Sequence, residues 1–181
     1  MAFNQQDTEC MALALKLSKL GRGSVGANPM VGCVITRDDK IIAQDYHRQY
    51  GESHAEVNAL DQINHKAHNC NVYVTLEPCS HQGKTPPCIK ALINANVSKV
   101  FIATLDSNPE VSGSGVRLLR DSGIEVEVGL LENTALEVNR GFFKRMKTGL
   151  PFVTSKIAMS LDGRIAMKNG QSKWITSNAS R

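Results

Sequence analysis

The 181-residue sequence has no apolar run long enough to cross a membrane, and its first residues show neither the basic start nor the apolar stretch of a signal peptide. It also lacks low-complexity tracts, and only 5% of its residues are aromatic. With 41% hydrophobic and 21% charged residues, the composition is typical of a globular protein with an ordinary core. We therefore expect a cytoplasmic protein without membrane contacts.

Cysteine is scarce and odd in number, which argues against a framework of disulfides in a chain that shows no export signal. Reduced thiols or metal ligands are the expected roles of these residues. They are Cys10, Cys33, Cys70, Cys79 and Cys88.

Acidic residues are nearly absent from the C-terminal part of the chain. Residues 140–181 contain nine lysines and arginines but only Asp162 as an acid, whereas residues 1–139 contain 12 basic and 16 acidic residues. A basic tail can contact nucleic acid, but the interleaved aromatic residues of single-strand binders are missing. A phosphorylated small molecule or a solvated surface accounts for the same charges, and we expect no nucleic-acid partner.

Apolar periodicity and turn residues divide the chain into alternating helices and strands. The pattern predicts helices over Gln5–Leu20, His54–His65, Pro87–Asn94, Gly115–Ser122 and Glu132–Lys147. It predicts strands over Val31–Thr36, Lys40–Tyr46, Val72–Leu76, Val100–Thr104, Ile124–Val128 and Phe152–Ala158. This alternation indicates an α/β layered fold. A domain boundary is expected near 147–151, and the remainder of about 30 residues is too short for a core of its own.

Two short segments contain the residue types of a catalytic zinc site. His54-Ala55-Glu56 begins a predicted helix, and Pro78-Cys79 is separated from Cys88 by eight residues. The first segment matches the H-x-E of zinc deaminases, and the second is a stretched form of their P-C-x-x-C. One imidazole and two thiolates hold zinc and leave a fourth position for water, whose pKa the ion lowers to about 7.

The spacing therefore predicts His54, Cys79 and Cys88 as zinc ligands. Glu56, two residues after the histidine, is predicted as the catalytic proton shuttle between water, ring nitrogen and departing amine. One alternative is a structural zinc site with His81 as fourth ligand, in a nucleic-acid-binding module. Another is a nucleobase or tRNA adenosine deaminase of the same fold.

The stretch 77–88, EPCSHQGKTPPC, resembles the bifunctional riboflavin-biosynthesis deaminase/reductase family. Asn28–Val34, Gly51–Glu56 and Ser155–Gly163 look like further hallmarks of this family in the same order. The resemblance implies a three-layer cytidine-deaminase-like fold with a mixed sheet between helices. It also implies a deaminase domain over residues 1–147 and, over 148–181, the opening segment of a dihydrofolate-reductase-like domain.

The resemblance further implies a substrate, a phosphorylated pyrimidine: 2,5-diamino-6-(5-phosphoribosylamino)pyrimidin-4(3H)-one, converted to 5-amino-6-(5-phosphoribosylamino)uracil and ammonia. The matching positions that would bind it are Asn28, His47, Lys84, Asp106 and Asn108. The lysine lies in the stretched cysteine loop, where its ammonium can meet a phosphate or a ring acceptor. Both asparagines precede prolines, so turn formation is the competing explanation for them.

By the same resemblance, the C-terminal segment contains the first residues of a reductase pocket. Ala158 and Trp174 would contact NADPH, and Ser172 would contact the reductase substrate. NADPH is implied only for a full-length parent protein, and we expect no reductase activity from this chain alone. A homo-oligomer is compatible with the sequence.

Overall fold

The computed structural model describes residues 3–107, 112–173, 177 and 179. The chain divides into two compact units, Met1–Pro151 and Phe152–Arg181. Among the described residues, no helix has both the length and the apolar composition that crossing a bilayer requires.

The first unit is built on a five-stranded mixed sheet with strand order β2-β1-β3-β4-β5. Strand β1 is antiparallel to both β2 and β3, with Cys33 opposite Val74, whereas β3, β4 and β5 run parallel. The mixed sheet agrees with the predicted fold class. The strands are β1 Gly32–Arg37, β2 Lys40–Tyr46, β3 Asn71–Val74, β4 Lys99–Ile102 and β5 Glu125–Val128.

Helices cover both faces of this sheet. They are α1 Gln5–Ser18, α2 Ala55–Asp61, α3 Cys88–Asn94, α4 Ser114–Asp121, α5 Glu132–Val138 and α6 Arg140–Thr148. A short 3₁₀ turn, Lys19–Gly21, follows the first of them.

Alternation along the strands produces two cores, because successive side chains point to opposite faces of a sheet. Val34, Tyr73 and Phe101 pack with residues of α1 and α5 on one face. Residues beside them in sequence, among them Val72 and Val100, pack with α2, α3 and α4 on the other face. The result is the predicted three-layer arrangement.

The predicted helix over Glu132–Lys147 is wrong in one respect, since it is two helices separated at Asn139. The side chain of Asn139 is buried and accepts a hydrogen bond from the Met30 backbone N–H at 2.8 Å. Its amide also donates to the Met30 carbonyl at 2.8 Å. The asparagine thus joins the loop before β1 to the α5–α6 junction, where its own backbone leaves the helical region.

The predicted strand over Phe152–Ala158 is also wrong. Residues 152–160 have no regular secondary structure, and turns and bends follow within 161–173, with backbone bonds such as Gly163 N–H to the Ser160 carbonyl. A strand is stabilised by a neighbouring strand, and no strand pairing is found among the described residues of this segment. The apolar pattern of this segment is therefore not sufficient to form a strand.

Helix α1 lies so close to the sheet that Gly32 has no room for a side chain. A Cβ atom at this position would be 2.0 Å from the Ala14 carbonyl oxygen of α1. Such a distance forces the helix and the strand apart and disturbs the core that they share.

We predict that Gly32→Ala destabilises the first unit by about 1–3 kcal/mol or more, the usual range for overpacking. Urea denaturation followed by circular dichroism measures the change. Gly83→Ala is the control, because no atom lies within 4 Å of its Cβ position. Equal unfolding midpoints for the two variants would contradict the prediction.

Candidate active site

The three side chains predicted as zinc ligands come together at one end of the sheet. His54 directly precedes α2, Cys79 lies in the loop after β3, and Cys88 is the first residue of α3. Their ligand atoms all lie within 4.8 Å of one another, and no other such group is found in the described part of the chain. We call these three residues the His-Cys-Cys trio.

The spacing inside the trio suits a tetrahedral zinc ion. The Nδ1 atom of His54 is 3.1 Å from the Cys88 sulfur and 3.6 Å from the Cys79 sulfur. Zinc bonds of about 2.1 Å to nitrogen and 2.3 Å to sulfur, at the tetrahedral angle, place the two ligand atoms roughly 3.6 Å apart. The donor types and the separation from Cys79 therefore fit zinc, and the Cys88 sulfur lies about 0.5 Å nearer to Nδ1 than this geometry requires.

The surroundings of the trio favour the thiolate form of Cys79, whereas the hydrogen bond to Cys79, together with burial, raises the pKa of Cys88. A hydrogen bond from the Cys88 thiol lowers the pKa of Cys79 to about 4 against the opposing effect of burial. The backbone N–H of Cys88 also donates to the Cys79 sulfur at 3.3 Å, and the bond to Cys79 raises the pKa of His54. Since the thiolate is the metal-binding form of cysteine, the loop is prepared for a cation.

Glu56 lies in the first turn of α2 and is 2% exposed. Burial is the main reason that the pKa of its carboxyl group is raised. Glu56 lines the same cavity as His54 and Cys79 but is not a member of the ligand group. A raised pKa suits a carboxyl group that both takes up and releases protons near neutral pH.

His81 does not complete a four-ligand site in this structure. Its side chain is exposed, and the ligand atoms that cluster are those of the trio alone. His81 lines the cavity together with Gly83 and Lys84. The geometry thus leaves one side of the trio facing the cavity, as in catalytic rather than structural zinc sites.

A cavity of about 360 Å³ adjoins the trio, a size typical of pockets for small molecules. Four of the predicted substrate residues line it: Asn28, His47, Lys84 and Asp106. Asn108, the fifth, lies outside the described residues. Lining the cavity is compatible with substrate contact but does not by itself assign a role to any of the four.

His47 presents an unused hydrogen-bond acceptor. Its Nδ1 atom is 3.2 Å from the Ser53 carbonyl, and because a carbonyl only accepts, this nitrogen holds the proton. The Nε2 atom is one of two buried side-chain polar atoms without a partner in the part of the chain that the structure describes. Burial lowers the pKa of His47, so the ring is neutral and Nε2 can accept from a ligand N–H.

Lys84 is held over an aromatic ring. Its ammonium nitrogen lies 4.1 Å from the centre of the Tyr50 ring, within the range of a cation–π interaction. Tyr50 also lines the cavity, and no sequence motif had indicated it. This contact fixes the lysine on the cavity side of an otherwise exposed loop.

Helix α6 provides an apolar wall of the cavity through Phe142 and Met146. No sequence motif indicated either residue. They lie four residues apart on α6, so their side chains share one face of that helix. Arg145 on the same helix donates a hydrogen bond to the Ala27 carbonyl at 2.9 Å.

The residues predicted for the reductase side lie in the second unit. Ala158 and Ser172 are exposed. Trp174 lies outside the described residues. No described geometry joins them into a site.

Comparison with protein families gives two matches. Residues 4–104 match the cytidine and deoxycytidylate deaminase zinc-binding region, and residues 151–181 match the RibD C-terminal domain. The two matches lie in the two units of the chain in the order deaminase and then C-terminal domain.

Relatives agree with this assignment. The chain is 50% identical to riboflavin biosynthesis protein RibD of Escherichia coli K12, over 97% of this chain and 48% of that protein. It is 51% identical to the diaminohydroxyphosphoribosylamino-pyrimidine deaminase of Buchnera aphidicola from Schizaphis graminum, over 81% of this chain and 99% of that protein.

Solved structures point the same way. Acinetobacter baumannii RibD superposes with a TM-score of 0.91 at 50% identity, over 98% of this chain and 50% of that chain. The chain thus spans about half the length of the RibD proteins it matches. Sequence, family matches and fold agree, and the chain belongs to the RibD family of bifunctional riboflavin-biosynthesis deaminase/reductases.

Proposed function

We propose that the first unit catalyses zinc-dependent hydrolytic deamination of 2,5-diamino-6-(5-phosphoribosylamino)pyrimidin-4(3H)-one. The products are 5-amino-6-(5-phosphoribosylamino)uracil and ammonia. The observation that supports this proposal most is that His54 and Cys79 of the His-Cys-Cys trio line one cavity together with the buried Glu56, while Cys88 completes the trio behind them. In this proposal the deaminase domain is 1–147, and 148–181 begins a reductase domain.

The residues divide the chemical work between metal binding and proton transfer. His54, Cys79 and Cys88 would hold zinc, which when bound supplies the Lewis acid that activates water near neutral pH. Glu56 takes a proton from the attacking water and passes it to the ring nitrogen. The attack forms the C–O bond. Glu56 then takes the remaining proton of the added hydroxyl group and gives it to the amine, so that the C–N bond breaks, the carbonyl forms and ammonia leaves.

The cavity offers polar groups that suit a diaminopyrimidinone. The neutral His47 accepts from a ligand N–H through Nε2, and Asp106 provides a second acceptor on the opposite loop. Asn28 offers both donor and acceptor atoms. Phe142 and Met146 supply the apolar surface that a planar ring packs against.

The phosphoribosyl part of the substrate would reach the mouth of the cavity. Lys84 lies there on the exposed cysteine loop, and its ammonium is a suitable partner for an anionic group. This lysine occupies the spacer that the shorter P-C-x-x-C motif lacks. An ammonium at this position favours a substrate with an anionic group over a free nucleobase, which is a candidate substrate of the alternative deaminases.

The structural-zinc alternative receives less support, because the trio faces a cavity and His81 is not part of it. It would require tight RNA or DNA binding that weakens steeply with salt. NADPH is proposed as cofactor only for a complete reductase domain, with Ala158, Ser172 and Trp174 as contacts. A small-molecule partner, a cytoplasmic location and a homo-oligomer complete the proposal.

We predict that Glu56→Gln retains zinc and lowers the deamination rate by about 10²- to 10⁴-fold, the usual contribution of a general acid-base group. Ammonia release measures the rate, and atomic absorption measures the metal. Glu125→Gln is the matched control, because that carboxylate is 76% exposed. Near-normal turnover by Glu56→Gln would refute the assigned proton transfer.

We predict that His81→Ala retains zinc, whereas His54→Ala loses it together with stability, because metal binding and folding are linked. Zinc content after dialysis and thermal unfolding with and without added zinc measure both effects. A His81→Ala protein that loses its metal would instead support the structural four-ligand site.

We predict that Lys84→Ala keeps zinc content and melting temperature but raises KM for the phosphorylated pyrimidine. Lys84→Arg should recover only part of the affinity, since a planar guanidinium does not reproduce a compact ammonium. Lys90→Ala on α3 is the control, as its side chain is exposed and does not line the cavity. An unchanged kcat/KM in Lys84→Ala would remove this lysine from the site.

A further inference from the structure

We propose that Glu77 is a positioning residue that sets the distance between the zinc loop and Asp106. This inference rests on the proposed function, because it assigns Asp106 to substrate binding. Glu77 lies two residues before Cys79, and its side chain is 4% exposed. It neither belongs to the metal-binding trio nor takes part in the proton transfers described above.

The carboxylate of Glu77 accepts backbone hydrogen bonds from two separate segments. Its Oε2 atom accepts from Asp106 N–H at 3.1 Å and from Gly113 N–H at 3.0 Å. Its Oε1 atom accepts from Gly115 N–H at 2.9 Å and from Val116 N–H at 3.3 Å. Both oxygens are used: Oε2 accepts from one donor on each side of residues 108–111, and Oε1 accepts from two donors that follow them.

This carboxylate replaces a local helix cap. Residue Gly113 precedes α4 and has no side chain to cap it. The first N–H groups of a helix need acceptors, and negative charge is favourable near them. Glu77 supplies both from a distant part of the sequence, so the start of α4 is anchored to the residue that leads into the zinc loop.

Close packing makes this anchor rigid. A Cβ atom at Gly115 would be 2.6 Å from the Pro78 carbonyl oxygen and 3.0 Å from Glu77 Oε1. The backbone N–H of Glu77 in turn donates to the Thr104 carbonyl at 3.0 Å, at the end of β4. Residues 77–78 are therefore fixed to the segment 104–106 by their backbone and their side chain together.

The functional consequence concerns Asp106. Asp106 lines the cavity, while its backbone N–H is bound to the same carboxylate that precedes Cys79. A substrate ring that lies between the metal and Asp106 would contact both. The buried carboxylate of Glu77 would then set the distance between these two contacts. Misplacing a contact by about 1 Å can cost roughly 100-fold in rate.

The test compares Glu77→Gln with Asp7→Asn. The glutamine has one oxygen and one NH₂ group, so one pair of backbone donors loses its acceptor. The single oxygen of the glutamine is expected to face the first N–H groups of α4. The backbone N–H groups of Asp106 and Gly113 then lose their acceptor. Asp7 is the matched control, a buried carboxylate that caps α1 at Asn4 and accepts from Tyr73 on the other face of the sheet.

We expect Glu77→Gln to keep zinc and to lower kcat/KM for the phosphorylated pyrimidine by about 10- to 100-fold, mainly through KM. Amide hydrogen exchange at Asp106 and Gly113 should accelerate in this variant alone. Asp7→Asn should lower the melting temperature and leave KM unchanged. Glu77→Asp, which keeps the charge on a shorter side chain, should show the same pattern and serves if the glutamine variant does not fold.

A Glu77 variant that lowers the melting temperature but has the KM of the wild type would overturn the positioning role. Zinc loss from a folded Glu77→Gln protein would also overturn it, because the group would then act on the metal loop. If the wild type releases no ammonia from the pyrimidine, the proposed function fails instead. Hydrogen exchange at Asp106 and Gly113 still decides, in that case, whether Glu77 fixes this loop.

Discussion

The central constraint in this molecule is the position of β3 between an antiparallel and a parallel neighbour. Strand β1 is antiparallel to β3, and β4 is parallel to it. The start of β1 and the last residues of β2, β3 and β4 therefore lie at the same end of the sheet. The loops at this end contain residues 28–31, 47–54, 75–88 and 103–107. Every described residue of the proposed site, apart from the helical contributions of α2, α3 and α6, comes from these loops.

Polar and ionisable side chains are buried at this same end of the sheet. Glu56, Glu77 and His47 are each less than 5% exposed, and each is compensated in a different way. The carboxylate of Glu77 is saturated with backbone donors, whereas the carboxyl of Glu56 responds to burial through a raised pKa. His47 remains neutral and keeps one acceptor unused. Of these three residues, only His47 has a buried polar atom without a partner, so its Nε2 atom is the one that a ligand would complete.

The sequence predicts the parts of the site that depend on short spacing. The trio and Glu56 could be found because H-x-E and the paired cysteines are local patterns with a chemical reason for each residue type. The strands of the sheet were also predictable, since short apolar runs bounded by turn residues are local patterns.

Features that depend on distant pairs could not be found in this way. The break at Asn139 arises from its bonds to Met30, 109 residues earlier, and it decides that Phe142 and Met146 face the cavity. The four backbone bonds of Glu77 likewise join segments about 30 to 40 residues away. The strand expected at 152–158 failed for a related reason, because pairing requires a neighbour that a local pattern cannot reveal.

The attachment of Asn139 to Met30 limits the positions at which this fold can be fused to another domain. The sheet and the trio are complete once β5 and α4 have been made, yet the cavity wall still depends on a later helix held by that asparagine. A chimera fused directly after β5 would keep the sheet and the trio while losing one side of its pocket. A different C-terminal domain is therefore best fused after Gly149, the residue in left-handed conformation that ends α6. A fusion point earlier in the chain would alter the pocket, and with it substrate selection, as well as the C-terminal domain.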